Sequence, residues 1–450
     1  MTRVQWPEGH VLLRNLTRSY PVIAHGEGIW LVDVDGRRWL DGASGAFVAG
    51  LGHGRSDIAQ AMADQAGRVG YVNGTQFTST PTEALAAALC AHAPAGLDRA
   101  FFLSSGSEAV EAAVKFVRQV QVERGELERT RMLTRTPSYH GNTLYALSLS
   151  GRPHYRTMYG PMLSDAEVLR SPYPYRPAVP GGDDEAQVAW HVRELEETIA
   201  RVGAHRIAGF IAEPVVGSSA GAAVPPPGYF PAMVEVCRRH EILVIADEIL
   251  CGFGRTGYRF ACEAVHFEPD VLVMGKALGG GVAPLSAVLV KTAHVELMRR
   301  GTGSFLHAQT YLQMPAITAA GLAAVRCLED EGLVDNARVQ GGRLGRLLQE
   351  RILPIPGVGS VQGIGLLWGV ELVADRSTKA PFARSRKVAE RVTQTLFDEG
   401  LIVWPNVGQA DGHSGDLLMV GPPLVIDADG VDTLIDRLEA GLRAFFAREE

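Results

Sequence analysis

Four short runs in this chain are apolar at nearly every position rather than at alternate ones: "IAGFIAEP" (207–214), "ILVIADE" (242–248), "VLVMGKA" (271–277) and "LSAVLV" (285–290). A strand with one wet face alternates apolar and polar residues. Continuous hydrophobicity therefore marks strands covered on both faces, as in a largely parallel sheet flanked by helices. That pattern predicts an α/β fold. Three of the runs end on a polar residue: Glu213, Asp247 and, one residue further on, Lys276. In parallel sheets, ligands gather at the carboxyl ends of the strands. Two acids and an amine at successive strand ends are thus best read as one site.

The surrounding chain fits this frame. Residues 28–41, "GIWLVDVDGRRWLD", alternate about Asp35-Gly36 and predict a hairpin. From about Asp57 to Val120 the spacing is helical, as in "TEALAAALCAHA" and "SEAVEAAVKFVRQV". The loops "PYPYRPAVPGGD" (172–183) and "PPPG" (225–228) each precede a helical segment. Beyond about 332 the chain reads as helix, short strands ("GLLWGVEL"), helix, strand and a last helix. With 450 residues the chain exceeds one ordinary core. We expect a large domain over 61–331 and a small α+β domain assembled from 1–60 and 332–450.

A net charge of −7 leaves no broad basic surface, which argues against nucleic acid as the main partner. The opening "MTRVQWPEGH" lacks a signal-peptide pattern and no apolar run is long enough to span a bilayer, so a cytoplasmic protein without a membrane partner is expected. Five scattered cysteines and 13 histidines show no ligand spacing, and no metal is expected.

A lysine at a strand-to-loop turn is ordinarily a surface residue. Held in a dry pocket, however, its amine loses proton affinity and can form a Schiff base with a carbonyl. Asp247 has the character of a buried carboxylate that keeps a ring nitrogen protonated. In "FFLSSGSEAVEAAVKFVRQV", Gly106 and Ser107 open a helix whose free N–H groups suit a phosphate. The same stretch also reads as a plain capping box, Ser105-x-x-Glu108. Reactive lysine, carboxylate and phosphate cradle together match the needs of pyridoxal 5'-phosphate (PLP).

The motifs "SSGSEAVEAAVK", "SYHGNT", "IAEPVVGSSAG…PPPGYF", "IADEILCGFGRTG", "GKALGGGVAPLSAV" and "TY" at 310, in this order, resemble the class III PLP-dependent aminotransferases. That group includes ω-amino acid, ornithine and 4-aminobutyrate transaminases. The resemblance spans nearly the whole chain and implies the fold type I architecture of PLP-dependent transferases. It also implies a homodimer with shared active sites. By resemblance, Lys276 carries the cofactor and then acts as acid and base. Asp247 partners the ring nitrogen, Ile249 and Tyr139 cover the two ring faces, and His140 and Gly141 shape a turn. Ser105, Gly106 and Ser107 form the phosphate cup, Glu213 borders the cofactor, and Thr310 reaches the phosphate from the second subunit. Phe47, Phe77, Trp404 and Met419 are expected at the substrate pocket.

Three departures bear on substrate. Relatives acting on ornithine or 4-aminobutyrate place an arginine before the "PP" near the C-terminus, where this chain has Met419. Others place one after "EGL", where this chain has Trp404. Where many relatives have small residues after "TY", this chain has Leu312, Gln313 and Met314. An apolar or aromatic amine donor is therefore expected. An acidic acceptor then needs another cation, Arg152 or Arg259. The expected reaction moves an amino group from a primary amine or ω-amino acid to a 2-oxo acid such as pyruvate, or to an aldehyde. Lyase, epimerase or decarboxylase chemistry is the alternative on this scaffold.

Overall fold

The computed structural model describes residues 2–448. Its centre is a seven-stranded sheet: β1 (Leu97–Leu103), β2 (Arg131–Thr136), β3 (Glu167–Arg170), β4 (Ile207–Ala212), β5 (Leu243–Asp247), β6 (Val271–Met274) and β7 (Ser286–Lys291). The spatial order is β1-β7-β6-β5-β4-β2-β3. All neighbours are parallel except β7, which runs antiparallel to both β6 and β1. The link from β6 to β7 holds only the short 3-10 turn Lys276–Gly279, too little chain for a crossover helix, so β7 must return antiparallel.

The unbroken hydrophobicity of the central strands has a direct cause. Leu243 and Ile245 of β5, with Val271 and Val273 of β6, join one core under the helix Gly106–Glu123. Val244 and Ala246, with Leu272 and Met274, join the core on the opposite face. By the same alternation Asp247 belongs to the side of the helix Gly106–Glu123. That helix starts at Ser105, whose hydroxyl accepts the Glu108 N–H, and it packs along β6 and β7 through buried Val110, Ala113 and Val117. Glu108 reaches back to the Ser104 N–H. The capping box is therefore real, one residue offset from its usual reciprocal partner.

The expected helical span from Asp57 to Val120 is interrupted by a strand, β1. The strands β1, β2 and β3 lie toward the edges of the sheet, and their sequences "LDRAFFL", "RMLTRT" and "EVLR" mix charge with apolar residues. Edge positions do not require apolar residues on both faces, so these strands lack the signal of the central ones.

Outside the central sheet, the hairpin at Asp35-Gly36 forms as Trp30–Asp33 against Arg38–Asp41. Leu401–Ile402 adds to it in parallel, joining the two ends of the chain in one sheet. A second four-stranded sheet comprises Val358–Ile364, Leu367–Leu372, Asp416–Val420 and Trp404–Val407. No helix of the described residues is long and apolar enough to cross a membrane.

Candidate active site

Strand register sets the site. Ala246 of β5 lies opposite Ala212 of β4, so the next residues, Asp247 and Glu213, emerge side by side. Asp247 itself lies opposite Val273 of β6, three residues before Lys276. Lys276 starts the 3-10 turn after β6 with φ +49°, a left-handed backbone that costs a non-glycine residue of order 1 kcal/mol and recurs at functional sites. Burial pulls its amine below the ordinary lysine range, opposed by the charges of Asp247 and Glu213.

Asp247 is buried, and one of its oxygens lies 2.7 Å from His140 Nδ1. The other accepts the Ile249 N–H at 3.1 Å. Glu213 is held by the N–H groups of Gly217 (3.0 Å) and Tyr139 (3.4 Å), and burial raises its pKa. Both oxygens of Glu213 thus accept from main-chain donors.

These groups line a cavity of about 200 Å³ together with Ser105, Gly106, Ser107, Tyr139, Gly141 and Ile249. The first-turn N–H groups of the helix Gly106–Glu123, which no helix can satisfy internally, open here. Its floor depends on glycine. A Cβ on Gly106 would come within 2.9 Å of Ile249, and one on Gly141 (φ +142°) within 2.6 Å of the Ser107 hydroxyl. A second cavity of about 660 Å³ shares Tyr139, Gly141, Asn142, Ser218, Leu250 and Lys276 with the first and continues to Phe47, Arg152, Tyr155 and Trp404. A planar, phosphate-bearing ring and a substrate chamber beyond it fit this pair of spaces.

Comparison with known proteins gives the same answer. The family model described as aminotransferase class-III matches residues 14–442. The chain belongs to the class III aminotransferases.

This aminotransferase is 36% identical over 426 residues to the uncharacterized aminotransferase YodT of Bacillus subtilis, covering 95% of this chain and 96% of that protein. It is similar to an (S)-enantioselective omega-transaminase from Thermomicrobium roseum, at 36% identity and TM-score 0.89, over 97% of this chain and 96% of that one. The PMP-bound aminotransferase of Vibrio fluvialis is matched at 35% identity and TM-score 0.89, over 96% and 94% of the two chains. The enzyme is thus a PLP-dependent transaminase of fold type I.

The structure of the aminotransferase brings most of the expected site residues together: Ser105, Gly106, Ser107, Tyr139, His140, Gly141, Glu213, Asp247, Ile249 and Lys276 share the smaller cavity. Phe47 and Trp404 line the larger one. Met419 does not line it. It is wholly buried, paired in register with Trp404 and packed in the same cluster as Phe47. Phe77 is 62% exposed and lines neither cavity. Thr310 is likewise exposed, on the loop before the helix Pro315–Asp330, and does not line the cavity that holds the lysine of its own chain. Of the two candidate cations, Arg152 lines the larger cavity, whereas Arg259 is ion-paired with Glu329 elsewhere.

Several contacts around the two cavities were not expected from the sequence. His140 does more than shape a turn, since it meets Asp247 directly. Asn142 exchanges two hydrogen bonds with the Ser107 hydroxyl, fixing it at the helix start. Its place directly after "YHG" was the available signal. Arg14 and Tyr155, on distant parts of the chain, had none.

Proposed function

We propose that this transaminase takes the amino group of an apolar primary amine and delivers it to a 2-oxo acid such as pyruvate, in two half-reactions of a ping-pong cycle. The observation that carries the reading is the shared wall of the two cavities, where Lys276 stands beside Asp247 on one side and faces a chamber walled by Phe47 and Trp404 on the other. Bound in the smaller cavity, PLP supplies an electron sink for the substrate carbon that loses its proton.

The chain's own residues do the rest. Lys276 Nζ, its proton affinity lowered by burial, would take the proton from the substrate carbon and pass it to the cofactor carbon. The Asp247 carboxylate would hold the proton on the cofactor's ring nitrogen, with His140 fixing that carboxylate. Ile249 and Tyr139 would confine the ring, and the N–H groups of Gly106 and Ser107, with the Ser107 hydroxyl fixed by Asn142, would hold the phosphate. Phe47 and Trp404 offer an amine apolar contact and exclude water. Neither offers a partner to a carboxylate on the donor.

The test is to mix holoenzyme with a panel of amines without acceptor and follow the cofactor spectrum. Conversion to a stable pyridoxamine form, followed by recovery with pyruvate, is expected. Product formation with the cofactor returned unchanged would mark a lyase, epimerase or decarboxylase instead. A neutral arylalkylamine should exceed 4-aminobutyrate in kcat/KM by roughly ten- to a hundredfold, the usual weight of one missing charge-assisted contact. A preference for 4-aminobutyrate would sink the apolar-donor reading.

A further inference from the structure

Arg152 is buried in the wall of the larger cavity, 7% exposed, with its guanidinium 4.7 Å from the Tyr155 ring centre and 5.4 Å from that of Tyr139. The other buried arginines direct their N–H groups at main-chain carbonyls: Arg129 at Ala204, Ile207 and His240, Arg135 at Glu213, and Arg255 at Leu366 and Pro422. Arg152 has no such carbonyl and no ion pair among the described residues. Glu213 acts on it only through space, both of its oxygens being occupied by backbone N–H groups.

A second guanidinium converges on the same place. Exposed Arg14, also in the cavity wall, donates to the Tyr155 hydroxyl at 3.2 Å. Against burial, which raises it, Arg152 and Arg14 together hold the Tyr155 phenol below its ordinary pKa. Two cations flanking one tyrosine, Arg14 on its hydroxyl and Arg152 over its ring, the latter buried and without an acid, form a site that lacks its anion. Arg152 and Lys276 line the same cavity, so the anion belongs near the reacting centre.

We propose that Arg152 reads the carboxylate of the 2-oxo acid acceptor, with Arg14 making a second, outer contact. This rests on the transaminase reading above. A carboxylate bonded directly to the reacting carbonyl carbon is the anion that must lie close to Lys276, and a guanidinium fork can grip it through two parallel hydrogen bonds. The cofactor phosphate is the other anion in the site, but its cradle at Ser105–Ser107 lines the smaller cavity, and Arg152 does not. The apolar wall of Phe47 and Trp404 and the cation at Arg152 would thus serve the two substrates separately.

The test compares the two half-reactions of holoenzyme carrying Arg152→Gln or Arg152→Lys. In Arg152→Gln the pyruvate concentration for half-maximal reoxidation of the pyridoxamine form should rise roughly ten- to a hundredfold. That loss should exceed any loss in the arylalkylamine half-reaction, and Arg152→Lys should recover part of it. Arg14→Gln, at an exposed position, should give a smaller rise. Independently, calorimetric titration with propionate, a carboxylate that cannot react, should show binding to the wild type that weakens in the same order.

Equal losses in both half-reactions, or propionate binding untouched by Arg152→Gln, would overturn the proposal. So would weaker cofactor retention with propionate binding intact, which assigns the cation to the phosphate. If the wild type converts no amine yet binds propionate through Arg152, the transamination reading fails and the carboxylate site stands.

Discussion

His140 Nδ1 lies 2.7 Å from a carboxylate oxygen of Asp247, and both side chains are almost fully buried. A carboxylate only accepts hydrogen bonds, so Nδ1 carries the proton of this contact. With the Ile249 N–H on the second oxygen, the plane of the carboxylate is fixed from both sides. An acid whose task is to hold one proton on one ring nitrogen needs such fixing, because a rotated carboxylate would present the wrong lone pair.

Asp247→Asn should retain bound cofactor but lose about a hundredfold or more in the rate of half-transamination, since a neutral amide cannot keep the ring nitrogen protonated. His140→Leu should lose less, roughly tenfold, and should shift the pH dependence of the cofactor absorbance as Asp247 loses its orienting donor. Stopped-flow spectra of both variants check this. A His140→Leu variant that merely melts earlier, with an unchanged spectrum and rate, would reduce His140 to a packing residue.

Lys276→Ala should fold, judged by circular dichroism, and have no measurable turnover. Borohydride treatment of the wild-type holoenzyme should fix the cofactor on the peptide containing Lys276. Label recovered on Lys291 or Lys115 would refute the assignment. Lys291 is already paired with Asp270, and Lys115 lies beside His307, so neither stands among the cavity residues.

Thr310 is exposed and does not line its own chain's lysine cavity, which suits a contact made across a dimer. We expect a homodimer in solution. Lys276→Ala and a bulky replacement such as Thr310→Trp should each be inactive alone. Mixed subunits should regain activity, because one of the heterodimer's two sites is then intact. No recovery after verified subunit exchange would rule out the shared phosphate contact.

Glu248, next to Asp247, points away from the cavity into the interior, where its oxygens accept the N–H groups of Ala261 (2.8 Å) and Cys262 (2.7 Å). Burial raises its pKa from 4.5 to about 7. For an acid raised in the folded state, the native protein binds the extra proton between those two values. Stability therefore falls as pH climbs from about 4.5 to about 7 and the loss is complete above it. Glu248→Gln removes this titration. Whatever its constant offset, the variant should gain about 2 to 3 kcal/mol on the wild type between pH 5 and 8, measured by urea unfolding. A gap that does not change with pH would show that Glu248 stays ionised throughout.

Much of this protein was legible along the chain. The central strands announced themselves because each is buried on both faces, leaving no polar position to break the apolar run. Glu213, Asp247 and Lys276 stood out because each closes such a run, and the family motifs placed the cofactor around them. The strands β1, β2 and β3 did not stand out, since an edge or near-edge strand tolerates the charges of Arg99, Arg131 and Glu167. What tertiary structure alone decided is contact between residues far apart in sequence. His140 reaches Asp247 across 107 positions and Arg14 reaches Tyr155 across 141. Periodicity reports which face of its own element a residue occupies, but not what stands opposite. Register and packing made that choice, bringing Arg152 into the wall of the larger cavity, leaving Arg259 with Glu329 and sealing Met419 behind Trp404.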